Sequence, residues 1–197
     1  MTIPPIILAS ASPRRRDLLC QIGIEPMAII PTDINETPNQ RELPPRYALR
    51  MADEKARAIV LPDGIDDGAV VLAGDTVVAV GRRILPKAET EDQARSCLAL
   101  LSGRRHRVYG GIALRLTDGT LRSRLVTSSV IFKRLHRDEI DAYIATGDWQ
   151  GKAGGYAIQG PAAAHIRHIA GSYSNIVGFS LYDESALLAA SEKRHDC

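Results

Sequence analysis

Strand-like and helix-like segments alternate along this chain from its first residues, and that alternation constrains the fold more than any other feature. Ile6–Ala9 is a short apolar run. Ser12 and Pro13 behind it read as a helix start, because serine caps a helix and proline suits its first position, whose N–H lacks a partner anyway. This helix reaches about Gln21 and stops at Gly23. Residues 27–30 read as a second strand and residues 32–43 as a polar loop. Pro44 or Pro45 opens a helix that reaches about Val60, and residues 62–68 form an acidic turn. Val70–Val80 is the longest strand candidate, closed by Gly81. Residues 90–101 are helical, capped by Thr90 and ended by Ser102 and Gly103.

Residues 106–116 and Leu121–Phe132 flank Thr117-Asp118-Gly119 as a hairpin, so the sheet is mixed rather than purely parallel. Arg137–Ala145 is a short helix, residues 149–161 are glycine-rich, 165–169 form a strand, 183–190 a last helix and 193–197 a frayed tail. The class is α/β with a mixed, partly antiparallel sheet and flanking helices. With 197 residues, no internal repeat and no linker, the whole span 1–197 reads as one domain.

Composition narrows the function. An apolar share of 45% supports a core and excludes wholesale disorder. A net charge of +2 argues against a general nucleic-acid binder, so no stable nucleic-acid complex is expected. Cys20, Cys97 and Cys197 lie far apart, which argues against a disulfide framework or a structural zinc site and fits a reducing, cytoplasmic location. No apolar run reaches the ~18 residues that span a bilayer, and the N-terminus lacks a basic segment before a long apolar one. Neither a signal peptide nor a membrane association is expected.

Natural sequences break local rules mainly at functional sites, and four breaks stand out. Arg14, Arg15 and Arg16 occupy the first turn of a helix, where the macrodipole favours anions. A docked anion resolves the conflict, held by free backbone N–H groups, the hydroxyls of Ser10 and Ser12, and the arginine forks. A solvated basic helix face accounts for the run equally well. Lys55 interrupts the i, i+4 stripe of Tyr47, Met51 and Ile59, either snorkelling to water, the commoner outcome, or pointing into a cleft. Asp75 lies amid eight apolar residues and Gly74 of Val70–Val80, where a carboxylate is costly unless paired or metal-bound. It is the best single-residue signal in the chain. Gly74 before it points to a bulge or a close approach. Residues 154–160 place glycines around Tyr156, Ala157, Ile158 and Gln159; by composition this is an ordinary glycine turn, though Gln159 could read a base edge.

Other residues carry less. His106, His136, His165 and His168 show no metal-ligand spacing, and Trp149, Phe132, Cys20 and Cys97 read as packing residues. Glu36 adds a second carboxylate on a loop. Cations, carboxylates and a helix N-terminus are the ingredients of metal-assisted phosphate or nucleotide chemistry.

These residues fall in a pattern that resembles the Maf family of nucleoside triphosphate pyrophosphatases. The matching segments are Leu8-Ala9-Ser10-Ala11-Ser12-Pro13-Arg14-Arg15, Asp33-Ile34-Asn35-Glu36, Ala52-Asp53-Glu54-Lys55-Ala56 and Ala73-Gly74-Asp75-Thr76-Val77-Val78. Leu101-Ser102-Gly103-Arg104-Arg105-His106-Arg107-Val108, residues 155–160 and residues 171–178 extend them over nearly the whole chain. The resemblance implies an elongated, two-lobed, inosine-triphosphatase-like architecture with a central cleft. It implies hydrolysis of nucleoside triphosphates between the α and β phosphates with Mg²⁺ or Mn²⁺, and a homodimer.

By the same resemblance, Ser10, Arg14, Arg15, Lys55 and Lys87 hold phosphates, and Glu36 and Asp75 bind the metal. Asp75 also accepts the proton of the attacking water, and Thr76 and Gln159 sit near the base. Thr76 after Asp75 resembles members that prefer dTTP and UTP, and extends to modified pyrimidine nucleotides. A regulator of cell division and septum formation, and a pyrophosphatase preferring 7-methyl-GTP or another purine nucleotide, are the alternatives. Three departures from the family pattern stand out: Gly110-Gly111 in place of Thr, Ala88 after Lys87, and Gly178-Phe179-Ser180-Leu181. The first and third bear on the base pocket rather than the reaction. On the sequence alone, Asp75→Asn is expected to abolish turnover, and removing a buried charge favours stability.

Overall fold

The computed structural model describes residues 4–61 and 68–192. The expected frayed tail and nearly all of the acidic turn lie outside the described residues. β1 (Ile6–Ala9) leads into α1 (Pro13–Gln21), β2 (Ala28–Ile29) and α2 (Pro44–Ala58). β3 (Val70–Val80) turns into β4 (Arg83–Leu85), followed by α3 (Glu91–Leu101), β5 (Arg105–Arg115), β6 (Leu121–Phe132) and α4 (Arg137–Ala145). A 3₁₀ turn, Pro161–His165, precedes β7 (Ile166–Ala170), α5 (Tyr173–Val177) and α6 (Leu181–Glu192). The strands form one mixed sheet in the order β2-β1-β3-β5-β6-β7, with β4 against β3. β1 runs parallel to β2 and β3; the other pairs are antiparallel.

The two faces of β3 explain the arrangement. Val71 and Ala73 pack on Ala52 and Ala56 of α2, while Val77 and Ala79 pack on its Tyr47, Ala48 and Met51. On the other face, Val70 and Leu72 join Leu18, Leu19, Leu187 and Leu188, and Val78 joins Leu98, Leu101, Phe132 and Trp149. One strand thus carries two separate apolar bodies on one face, with Gly74 and Thr76 between them. These are the two lobes. Each fully buried leucine or isoleucine among them contributes about 1.5–3 kcal/mol through burial.

β3 also has an incomplete edge. β5 pairs with it without interruption from Val71 to Ala79, so of the two readings of Gly74, bulge or close approach, the bulge is absent. On the opposite edge β1 pairs only with Val70 to Ala73, and β4 only with Val78 to Val80. Gly74, Asp75, Thr76 and Val77 therefore face an opening in the sheet. Gly74 marks a close approach instead: a Cβ there would lie 2.2 Å from Phe179 Cε1.

Gly110 and Gly111 are packing residues and do not line the cleft described below. A Cβ on Gly111 would lie 2.1 Å from the Ala48 carbonyl oxygen, and one on Gly110 would lie 1.9 Å from Asn175 Oδ1. Gly110 lets α5 sit against β5 and Gly111 lets α2 do so, which fixes α2 above Asp75. The departure from the family pattern at this pair thus concerns helix packing rather than the base pocket.

Besides the 3₁₀ turn, β4 and α5 have no counterpart in the sequence reading. β4 is three residues long and begins with exposed Arg83, so Gly81, with φ at +61°, reads as an end when it is a hairpin turn. α5 is five residues long, and its signal is the capping Ser172, whose Oγ accepts from Asn175 N–H at 3.2 Å. α6 starts two residues ahead of its expected position, at Leu181. Trp149, Phe132 and Cys97 are buried as expected, but Cys20 is only half-buried and its thiol donates to Glu25 at 3.2 Å.

Candidate active site

The nine side chains singled out in the sequence line one cavity of about 370 Å³. Ser10, Arg14 and Arg15 come from the turn after β1 and the start of α1. Glu36 comes from the loop before α2, Lys55 from α2, Asp75 and Thr76 from β3, Lys87 from the segment after β4, and Gln159 from the glycine-rich run. Asp75 and Thr76 are neighbours on a strand and point to opposite faces. Both reach the same cavity because the cavity wraps the open edge of β3.

On the α2 face, Lys55 settles the choice between water and a cleft. It is only 7% exposed, and its Nζ lies 2.8 Å from Asp75 Oδ1 and 2.7 Å from Glu36 Oε1. Lys87 Nζ lies 2.5 Å from Glu36 Oε2. Two ammonium groups thus balance two carboxylates, which is what allows the Asp75 carboxylate, 5% exposed, to be buried. Burial opposes ionisation of Glu36, but Lys55 and Lys87 outweigh it and hold the carboxyl down at about 2.

The loop carrying Glu36 is strapped to α2. Tyr47 Oη donates to the Glu36 carbonyl oxygen at 2.6 Å, and Arg50 donates to the Thr37 carbonyl oxygen at 3.2 Å and to Glu42 at 2.7 and 2.8 Å. Burial, together with the charges of Asp75 and Glu36, pushes the Tyr47 phenol up to about 12, so it remains a donor at neutral pH. The sequence reading placed Tyr47 in an apolar stripe and missed this strap.

On the other face, Arg15 is 8% exposed and its donors are committed to protein atoms. Nη1 donates to Ser10 Oγ at 3.0 Å, Nη2 to Thr76 Oγ1 at 3.1 Å and Nε to the Gly178 carbonyl oxygen at 3.1 Å. Its guanidinium also stacks 5.2 Å from the centroid of the Phe179 ring. Arg15 thus joins α1, β3 and the α5–α6 corner. Arg14 is half-buried and makes one long bond, from Nε to the Val177 carbonyl oxygen at 3.3 Å. Ser12 caps α1 without a side-chain bond to it, and its first turn holds no acid. The start of the helix thus presents no acidic side chain that would compete with an anion for its positive end.

Gln159 is exposed at the cavity wall. The run that carries it is anchored from below by Tyr156, whose Oη lies 2.7 Å from His106 Nε2. His106 is buried against Phe132 and Tyr156, and burial lowers its pKa to about 4, so it is neutral near pH 7. It is a packing residue, as its lack of ligand spacing implies. Sequence reasoning missed Lys152, a further cation on the cavity wall.

A divalent cation fits this site. Oxygens of Glu36 and Asp75 already converge within 2.8 Å of one cationic nitrogen. Among the described residues no group of three or more His, Cys, Asp and Glu side chains could hold a metal by itself. Two carboxylates completed by phosphate oxygens and water is the hard-oxygen set that Mg²⁺ and Mn²⁺ accept.

The family model described as Maf-like protein matches residues 5–191. A protein named dTTP/UTP pyrophosphatase from Paramagnetospirillum magneticum is 60% identical over 93% of this chain and 95% of its own length. A protein of the same name from Rhodopseudomonas palustris is 54% identical over 94% of this chain and 91% of its own. The solved structure of a HAM1 protein from Coxiella burnetii aligns with a TM-score of 0.48 at 16% identity, covering 96% of this chain and 98% of that one. Among the described residues no helix is long and apolar enough to cross a membrane.

Proposed function

The chain belongs to the Maf family, and from that premise we propose that it hydrolyses dTTP and UTP to the nucleoside monophosphate and pyrophosphate. The observation that carries this reading is the Glu36–Lys55–Asp75 cluster at the open edge of β3, in a cavity walled by Arg14, Lys87 and the start of α1. The relatives at 60% and 54% identity supply the substrate class.

In this mechanism, Asp75 takes a proton from a water molecule whose oxygen attacks the α-phosphorus. The bond from that phosphorus to the α–β bridging oxygen breaks, and pyrophosphate leaves. Glu36 and Asp75 would hold Mg²⁺ or Mn²⁺, which supplies Lewis-acid charge to the phosphate oxygens. Lys55 and Lys87 exchange their carboxylate partners for phosphate oxygens as substrate enters, and Arg14 meets the phosphate chain. Arg15 orients Ser10 and Thr76. Thr76 and Gln159 face the base and set the preference for pyrimidines. The reaction belongs in the cytoplasm, where it clears nucleotide pools, a location supported by the wide spacing of Cys20, Cys97 and Cys197.

The test is incubation with Mg²⁺ and a panel of nucleoside triphosphates, with identification of products. Monophosphate and pyrophosphate from dTTP and UTP are expected. The same products from purine nucleotides alone would overturn the base assignment, and binding without turnover would make the site a nucleotide sensor.

A further inference from the structure

One cation on the cavity wall has no role in the mechanism above. Lys152 lies on the lobe opposite α1, and its backbone position is fixed. Ala88 N–H donates to the Lys152 carbonyl oxygen at 3.1 Å, Gly151 N–H to that of Ala88 at 2.8 Å and Gly154 N–H to that of Pro86 at 2.9 Å. Lys87 and Ala153 pair across these bonds as an antiparallel bridge. The bridge mounts Lys87 and Lys152 on one wall.

Lys152 is only half-buried, yet its ammonium meets no opposite charge at bonding distance. Nζ donates to the Gln150 carbonyl oxygen at 3.0 Å, and among the described residues no carboxylate forms an ion pair with it. Arg14, from the other lobe, is in the same condition. Burial and the charge of Arg14 both lower the Lys152 pKa, with Asp148 opposing; burial also lowers that of Arg14, again against Asp148. Two partly desolvated cations lining one cavity, neither with a carboxylate partner at bonding distance among the described residues, are an unfavourable arrangement that an anion between them relieves.

We infer that Lys152 binds the polyphosphate chain of the nucleotide and, with Arg14, clamps it across the cleft. The inference rests on the proposed reaction for the identity of its ligand. A lysine ammonium has three donors and no acceptor, and recognises phosphate as a point charge. The Asp75 and Glu36 cluster reaches the reacting phosphorus without it, so Lys152 serves binding more than the chemical step.

The discriminating variant is Lys152→Met, which keeps the stem and deletes the charge. The KM for dTTP is expected to rise about tenfold, the loss of one charge-assisted bond, with kcat within about threefold of wild type. Lys152→Arg restores most of the affinity. Calorimetric binding of inorganic triphosphate in Mg²⁺ buffer needs no turnover, and its Kd is expected to rise in parallel. Weaker triphosphate binding by Lys152→Met supports the inference even if neither protein hydrolyses dTTP. Equal triphosphate affinity of wild type and Lys152→Met, or no binding by either, overturns it. A lower melting temperature with kcat falling and KM unchanged also overturns it, by making Lys152 a structural residue.

Discussion

Lys55 and Asp75 form a buried ion pair, 2.8 Å between Nζ and Oδ1, with side chains 8% and 6% exposed. The pair reverses a stability expectation drawn from the sequence. Asp75→Asn no longer removes an isolated buried charge; it removes one of the two carboxylates that neutralise Lys55. The variant is expected to lose roughly 10²–10⁴-fold in kcat as the general base disappears. Its stability should fall modestly, because Glu36 still pairs with Lys55. Lys55→Met leaves Asp75 buried without its cation, while Lys87 still pairs with Glu36, and should cost about 3–5 kcal/mol in urea unfolding. Wild-type kcat in Asp75→Asn would remove it as the base, and a more stable Asp75→Asn would show that the pair contributes nothing.

The two neighbouring arginines should separate experimentally. Arg14→Ala loses one long bond to a carbonyl and should leave the melting temperature nearly unchanged while raising the KM for dTTP. Arg15→Ala deletes three bonds that hold Ser10, Thr76 and Gly178, so the melting temperature and kcat should both fall. Arg15→Lys should not rescue it, because an ammonium cannot span that fork. Equal melting temperatures for the two alanine variants would contradict this division.

Glu36 predicts an acid response. Its carboxyl sits at about 2 in the folded chain, against an ordinary value of 4.5. A depressed carboxyl stabilises the fold above the unfolded value and loses that contribution as pH falls towards the folded one. Wild type should therefore lose stability between pH 4.5 and about 2 more steeply than Glu36→Gln. Denaturant titrations at several acidic pH values give the comparison, and parallel curves would count against the paired geometry of Glu36, Lys55 and Lys87.

Glu184 gives the opposite sign. It is fully buried on α6, neither carboxyl oxygen has a hydrogen-bond partner among the described residues, and burial raises its pKa well above the ordinary value, with Arg15 opposing. The folded chain then holds a proton that the unfolded chain releases, so stability declines as pH rises above about 4.5, until the folded group ionises. Glu184→Met, similar in volume and without unpaired oxygens, should gain about 1–3 kcal/mol at pH 8. The gain should shrink towards pH 4. A less stable Glu184→Met at pH 8 would mean that the carboxyl has a stabilising role towards Arg15.

The site was legible wherever one residue broke a local rule by itself. Asp75 is expensive inside an apolar strand, Lys55 interrupts an apolar stripe, and Arg14 and Arg15 oppose a helix dipole. Their convergence was not legible, because it depends on where β1 stops and β4 begins along the edge of β3, and β4 is too short to leave a pattern. Tyr47 and Arg50 were hidden because each fits its helix and acts through backbone carbonyls of a loop. Lys152 breaks no rule in a polar, glycine-rich run; its backbone bridge to the Lys87 segment becomes visible only in three dimensions. Gly110 and Gly111 read as a change near the base because helix approach leaves no trace in the sequence beyond the missing side chains.

The most direct test of the account is hydrolysis of dTTP in ¹⁸O-labelled water with Mg²⁺, with mass analysis of both products. Attack at the α-phosphorus predicts one labelled oxygen in thymidine monophosphate and none in pyrophosphate. Label in pyrophosphate, or a thymidine diphosphate product with labelled orthophosphate, would place the attack at another phosphorus and contradict the account.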